Sequence, residues 1–286
     1  MIRTDLAMEA DNIGQRIPGV EVINDDVAQG VHRVRVSISS QEGEKAIGKK
    51  MGTYVTIEAD ALAQGDADID EGCAKALANE IKNMAGETIS GSVLIVGLGN
   101  RMVTPDSLGP SVCDAVFVTR HIHEYAPDSI DARIGTVSAL SPGVLGITGI
   151  ETGEIIEGVI SRLKPSLVIA VDSLASRSIE RVRKTIQLAD SGISPGAGIG
   201  NKRKALNKET LGVPVLAVGV PLVVYASTVA QDLLTAALEK TSADDSARPM
   251  LENVFSAMME SPGADMIVTP KEIDKVYILV TKVTVL

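Results

Sequence analysis

Two aspartates stand where the chain leaves apolar segments. Asp172 directly follows residues 167–171, and Asp106 follows residues 93–96 across a short turn that contains glycine. Apolar, β-branched runs of this kind are typical of buried parallel strands, and open α/β sheets bind ligands at the carboxyl ends of such strands. Two carboxylates at one sheet edge can act as general acid and general base without a metal or a cofactor.

Each aspartate also has a purely structural interpretation. Asp106 precedes a predicted helix that begins near Leu108, and aspartate is a favourable N-cap residue. Asp172 fits a turn at the end of a strand. Their joint position after two strands favours the chemical interpretation, and two nearby carboxylates are expected to titrate as one coupled pair.

The glycine-containing loops suggest ways to bind a substrate. Gly97-x-Gly99 after a strand resembles a dinucleotide fingerprint, but Met102 occupies the position of the required third glycine, which argues against a dinucleotide. Backbone N–H groups in such turns can stabilise an oxyanion. The candidates for oxyanion or substrate binding are Gly99, Asn100, Gly196 and Gly198.

The histidines and cysteines form no recognisable metal motif. His121 and His123 are two residues apart on a predicted helix, so they do not share a face, and His32 is the only other histidine. Cys73 and Cys113 are typical of buried thiols in a reducing compartment. We therefore expect neither a metal nor a cofactor.

The composition argues against nucleic-acid and membrane partners. The formal net charge is −10 and aromatic residues make up 2%, so the chain lacks both a basic footprint and stacking platforms. Residues 211–230 carry no charge, but glycine and proline interrupt them. This stretch predicts a buried strand at 215–218, a Gly-Val-Pro turn, and a helix that begins near Leu222.

Alternation of strands and helices predicts an α/β fold. Between about residues 90 and 240 the pattern indicates a doubly wound, mainly parallel sheet with helices on both faces. Its predicted elements include helices over about 108–121 and 151–163 and a strand near 134–137. Residues 31–38 and 54–57 predict a small β-hairpin extension over about 20–60, after an irregular start. We expect one domain over residues 1–286, with two late elements: a helix near 250–259 and a strand at 276–286.

Longer motifs around these candidates resemble the bacterial germination protease family. They are Gly97-Leu98-Gly99-Asn100 with Asp106 and Leu108-Gly109-Pro110, followed by residues 142–152, 170–178 and 190–204. Shorter matches lie at residues 3–7 and 268–272. The resemblance covers almost the whole chain.

The resemblance implies an endopeptidase that begins the degradation of small acid-soluble spore proteins during germination. It implies a zymogen that removes its own N-terminal pro-segment, and a homotetramer in the cytoplasm of the spore core. The fold would be similar to that of hydrogenase maturation proteases, whose equivalent acids bind metal, although this family needs none. The family's two important aspartates fall on Asp106 and Asp172.

Three departures from the family pattern keep alternatives open. Only Met1 and Ile2 precede Arg3, Tyr225 stands where an acid is expected, and the last ten residues differ from the family's tail. One alternative is a metal-dependent maturation peptidase of the same fold, with the two aspartates as ligands. Another is an inactive relative that binds spore proteins. Chelator sensitivity, or binding without cleavage, separates these.

Overall fold

The computed structural model describes residues 4–59, 67–194 and 204–241, with short pieces at 253–254, 256–257, 263–264 and 266–269. The strands are β1 (Val20–Ala28), β2 (Val31–Ile38), β3 (Gly52–Glu58), β4 (Val93–Gly97), β5 (Val137–Leu140), β6 (Leu167–Ser176), β7 (Thr185–Ala189), β8 (Val215–Tyr225) and β9 (Ile267–Val268). The helices are α1 (Gln41–Ile47), α2 (Ala67–Ala85), α3 (Leu108–Ala115), α4 (Arg120–Tyr125), α5 (Leu145–Thr148), α6 (Thr152–Leu163), α7 (Lys208–Leu211) and α8 (Ala226–Thr241).

The described strands form one mixed sheet. Its order is β1-β2-β3-β7-β8-β6-β4-β5, with β9 paired to β8. β5, β4, β6 and β8 pair in parallel, whereas β1, β2, β3, β7 and β9 join their neighbours antiparallel. An α/β fold is confirmed, but the expected mainly parallel sheet is wrong for its antiparallel half. The link between β6 and β7, residues 177–184, is too short for the crossover that parallel strands require.

Helices cover both faces of the parallel half. Val93 and Ile95 of β4 pack in a core cluster with α2 and α3, and Leu94 and Val96 pack in another with α6 and α7. Successive side chains of a strand point to opposite faces, so a strand buried on both sides is apolar throughout. That is the pattern from which the sequence predicted this strand.

The N-terminal extension is larger than predicted. β2 and β3 form the expected antiparallel pair, but β1 also joins β2, in a segment predicted to be irregular. Only one face of β1 is partly covered, so its polar residues interrupt the apolar–polar alternation that would predict a strand. One of them, Asp25, forms an ion pair with Arg33 of β2. β3 pairs with β7, so the extension and the core share one sheet, which supports the proposal of a single domain.

The uncharged stretch before residue 230 is a central strand. The predicted turn and the helix from Leu222 are wrong, because β8 runs unbroken and buried to Tyr225. Pro221 is tolerated there because it faces Leu174 where the register of β6 against β8 shifts, and proline lacks the N–H that a regular ladder uses. Among the helices that the structure describes, none is long and apolar enough to span a bilayer.

Two other predicted boundaries shift for tertiary reasons. The helix predicted over 108–121 divides into α3 and α4, because Thr119 between them bonds to β5: its N–H donates to the Val137 carbonyl at 3.0 Å. The strand predicted at 134–137 begins at Val137. The strand predicted at 276–286 lies outside the described residues, as does most of the helix predicted at 250–259.

Candidate active site

Asp172 lies where β6 extends past its neighbour β4. β4 ends at Gly97, which pairs with Val171, so from Asp172 onward this side of β6 borders a loop. The Asp172 residue is 6% exposed, and its carboxylate accepts the N–H of Ser173 at 2.8 Å. The sequence predicted that the strand ends at residue 171, but β6 continues alongside β8 to Ser176.

Asp106 lies on the loop that follows β4. Its carboxylate accepts the N–H of Asn100 at 2.8 Å, and its own N–H donates to the Val103 carbonyl at 2.8 Å. Gly99 has φ +111°, and a Cβ there would lie 2.1 Å from the Asp106 carbonyl oxygen, so only glycine fits. The N-cap of α3 is Ser107, which corrects the structural interpretation of Asp106.

Both aspartates line one cavity of about 490 Å³. Small residues of β7 and β8, namely Ala189, Ala217 and Gly219, also line it, and the Leu174 side chain packs over Gly219. Two aspartates that follow separate strands thus line one cavity. A cavity of this size with a few convergent polar groups is typical of a binding or catalytic site.

The candidate oxyanion residues are placed differently. Gly99 and Asn100 are not among the described residues that line the cavity; they shape the loop that holds Asp106. Gly196 and Gly198 lie outside the described residues. Their loop is closed at its base, where Ile193 and Leu206 exchange backbone hydrogen bonds of 3.0 and 2.7 Å.

Sequence reasoning missed the polar residues that the extension and the N-terminal segment bring to this cavity. Asp5, Lys49 and Gln187 line it beside the two aspartates. Burial raises the pKa of Asp5 and lowers the pKa of Lys49, while attraction between the two opposes both shifts. The match at residues 3–7 to the germination protease family was the one sequence signal near this group.

Residues 4–9 lie against β6 and are tied down by a buried carboxylate. Glu9, 8% exposed, accepts the hydroxyl of Ser176 at 3.0 Å and the N–H of Arg177 at 2.7 Å. The Arg181 guanidinium donates to it at 3.1 Å, and Thr4 donates its hydroxyl to it as well. Asp5 of this segment lines the cavity beside the aspartates, and the next two residues, Leu6 and Ala7, are fully buried.

Cysteine chemistry does not fit this site. Burial raises the pKa of the Cys113 thiol to about 11, so the thiol is protonated at neutral pH, and a thiolate is the nucleophile that cysteine catalysis needs. Cys73 is buried in the core. Across the described ranges, no group of three or more His, Cys, Asp or Glu residues is arranged to hold a metal ion.

Fold and site together define a class of protein. The α/β fold has a cavity lined by two aspartates, and carboxyl groups are among those that can act as general acid and general base. The class that these features indicate is that of peptidases.

Comparison with known proteins identifies the family. The sequence profile described as germination protease matches residues 3–246. The chain is 50% identical to the germination protease of Caldanaerobacter subterraneus subsp. tengcongensis, over 96% of this chain and 88% of the relative. It is 42% identical to that of Clostridium tetani, over 99% and 92%, and 46% identical to that of Bacillus pumilus, over 82% and 66%. The chain belongs to the germination protease family and is therefore a peptidase.

Proposed function

We propose that this chain is an endopeptidase that begins the degradation of small acid-soluble spore proteins during germination, with Asp106 and Asp172 as its acid–base pair. The observation that carries the proposal is the shared cavity. Two aspartates that are 66 residues apart in sequence line it together, and Asp5 of the N-terminal segment lines it as well. Family membership supports the role in germination.

The proposed reaction uses water as the nucleophile. The ionised carboxylate takes a proton from a water molecule while the oxygen of that water attacks the carbonyl carbon of the scissile peptide. The protonated carboxyl donates its proton to the carbonyl oxygen or, as the C–N bond breaks, to the leaving amine. Asp172 is buried and Asp106 is half-buried, so the two carboxyls lie in different surroundings, as such a division of roles requires.

We also propose that the protein is held as a zymogen and processes its own N-terminal segment. Support comes from the position of that segment. Asp5 lines the same cavity as Asp106 and Asp172, and the Glu9 carboxylate accepts the Arg177 N–H at the end of the segment. A homotetramer in the cytoplasm of the spore core rests on the family resemblance alone, and light scattering on the purified protein measures the assembly.

The deciding experiment is digestion of a purified small acid-soluble spore protein by the full chain, with and without EDTA. Defined fragments that form equally fast with the chelator support the proposal. Abolition by EDTA with rescue by a divalent metal would show a metal-dependent peptidase instead. Binding of the spore protein with no fragments would show an inactive relative.

A further inference from the structure

Gln187 binds the main chain of the N-terminal segment with both ends of its side chain. Its Oε1 accepts the N–H of Ala7 at 2.7 Å, and its Nε2 donates to the carbonyl of Asp5 at 3.0 Å. The Gln187 residue is 7% exposed, so both bonds form away from bulk water. A buried amide that loses these partners would leave unsatisfied polar groups, which makes the contact selective for a peptide backbone.

Neighbouring bonds also contact main-chain atoms. The Asp5 N–H donates to the Ala175 carbonyl at 2.9 Å, and Lys49 Nζ donates to the Thr4 carbonyl at 3.0 Å. Main-chain bonds provide affinity for any extended polypeptide, whereas side-chain pockets provide selectivity. These bonds therefore recognise main-chain atoms and not particular side chains.

The sheet register places Gln187 in the same row as Asp172. Gln187 pairs with Gly219, and Gly219 pairs with Asp172, so all three occupy one row across β7, β8 and β6 and share a face. Adjacent strands are about 4.8 Å apart, which puts the Cα atoms of Gln187 and Asp172 about 10 Å apart. Because Gly219 has no side chain, the Leu174 side chain packs over it, and Leu174, Gln187 and Asp172 all line the cavity.

We infer that Gln187 is the substrate-binding residue that holds the main chain of a polypeptide across the active site, through a carbonyl and the N–H two residues further on. The inference rests on the proposed function, since it assigns the cavity to substrate. In the structure, the chain's own Asp5 and Ala7 make these two hydrogen bonds with Gln187. A structural latch that serves only this segment is the competing interpretation.

The test measures binding of a labelled twelve-residue peptide with the sequence of residues 1–12 to the full chain, by fluorescence polarisation. An Asp106→Asn background prevents hydrolysis of the probe. A second peptide replaces the amide N–H at the position of Ala7 with an ester oxygen, which removes one donor and keeps the shape. We expect the ester to weaken binding by about three- to tenfold, as the loss of one hydrogen bond does.

Variants of Gln187 then show whether this residue receives that bond. Gln187→Met keeps the length of the side chain without its polar atoms; it should bind the parent peptide more weakly and show less than a twofold further loss with the ester. Gln187→Glu keeps the acceptor and should retain the ester effect. Thr56→Val, in the same row and with a hydroxyl that has no hydrogen-bond partner, is the matched control and should behave like the parent.

An equal ester effect in Gln187→Met, or no binding of the parent peptide to the full chain, would overturn the inference. Thermal unfolding of each variant confirms that it is folded. Failure of the proposed function has a different signature: the chain with both aspartates leaves the spore protein intact while the peptide binds and the ester effect depends on Gln187.

Discussion

The two halves of the sheet do different work. In the parallel half, β4 is buried at every position and carries the loop with Asp106, while β6, buried at nearly every position, carries Asp172. In the antiparallel half, β1 exposes many of its residues, and the strands and loops there bring Lys49 and Gln187 to the cavity. Close apolar packing positions the aspartates that we propose as the catalytic pair, and hydrogen bonds position the residues that we infer to hold a polypeptide.

Charge shows the same contrast. The side chain of Glu80 on α2 is 3% exposed and pairs with both Arg33 and Arg35 of β2, so an ion network fastens the extension to the core. The parallel half relies on interdigitated valine, leucine and isoleucine. We therefore expect substitutions in the parallel half to change the rate of the reaction, and substitutions in the antiparallel half to change substrate binding or stability.

The largest effect should come from the aspartates. Asp106→Asn and Asp172→Asn should each lower kcat by at least ~10²-fold, because each removes a group that transfers protons. The double variant should lose little more than the worse single variant, since residues that act as a unit are not additive. Rates of spore-protein cleavage measure this, with Asp114→Asn, an exposed partner of Arg101, as the control that should stay active. Single variants with near-normal turnover would disprove the pair.

Loop geometry should have the next largest effect. Gly99→Ala introduces a Cβ only 2.1 Å from the Asp106 carbonyl oxygen, and moves that aspartate. We expect a loss of about ten- to a hundredfold in kcat with KM little changed, since a shift of about 1 Å at a catalytic group has this cost. Gly146→Ala in α5, where a Cβ meets nothing within 4 Å, should be neutral. A large change in KM with normal kcat would contradict the assignment of this loop to chemistry.

Stability should respond at Glu9, where the N-terminal segment joins the two halves. Glu9→Gln removes the charge that Arg181 and the Arg177 N–H bind, and should lower the free energy of unfolding by about 2 kcal/mol. Urea denaturation measures the change. Glu157→Gln, whose partner Lys204 is exposed, should change stability by less than about 1 kcal/mol. Equal changes in the free energy of unfolding at Glu9 and Glu157 would show that the buried Glu9 contacts stabilise the protein no more than an exposed ion pair does.

The smallest effect should be a dependence on pH at Asp5. Burial raises the pKa of Asp5 above its ordinary value of 3.8, so the folded protein holds this proton more tightly than the unfolded chain does. Its contribution to stability is greatest below pH 3.8 and declines as pH rises through the folded pKa. The free energy of unfolding relative to Asp5→Asn should therefore fall across that window in a urea series.

A control with the opposite sign sharpens this measurement. Arg133 lowers the pKa of Asp131, so stability relative to Asp131→Asn should rise with pH. A flat difference for Asp5 would contradict its burial beside the aspartate pair.

Much of the parallel half was predictable and much of the antiparallel half was not. Strands β4 and β6 and helix α6 follow from local patterns, because each buries a continuous or periodic apolar set. β1 was missed because its exposed polar residues leave little period to detect. Pro221 and Gly219 suggested a turn, but tertiary pairing on both sides kept β8 extended. Local propensity is overridden when a strand is central in a sheet.

By itself, the sequence determined that this is an acidic α/β protein of the germination protease family with two aspartates after two buried strands. Hydrophobic periodicity and short motifs are local properties of the chain, so they can be detected from the sequence alone. Only the tertiary structure decided that Asp5, Lys49 and Gln187 share the cavity with those aspartates. These residues are separated by up to 182 positions, and a contact over such a distance depends on strand order and register, which no local pattern records.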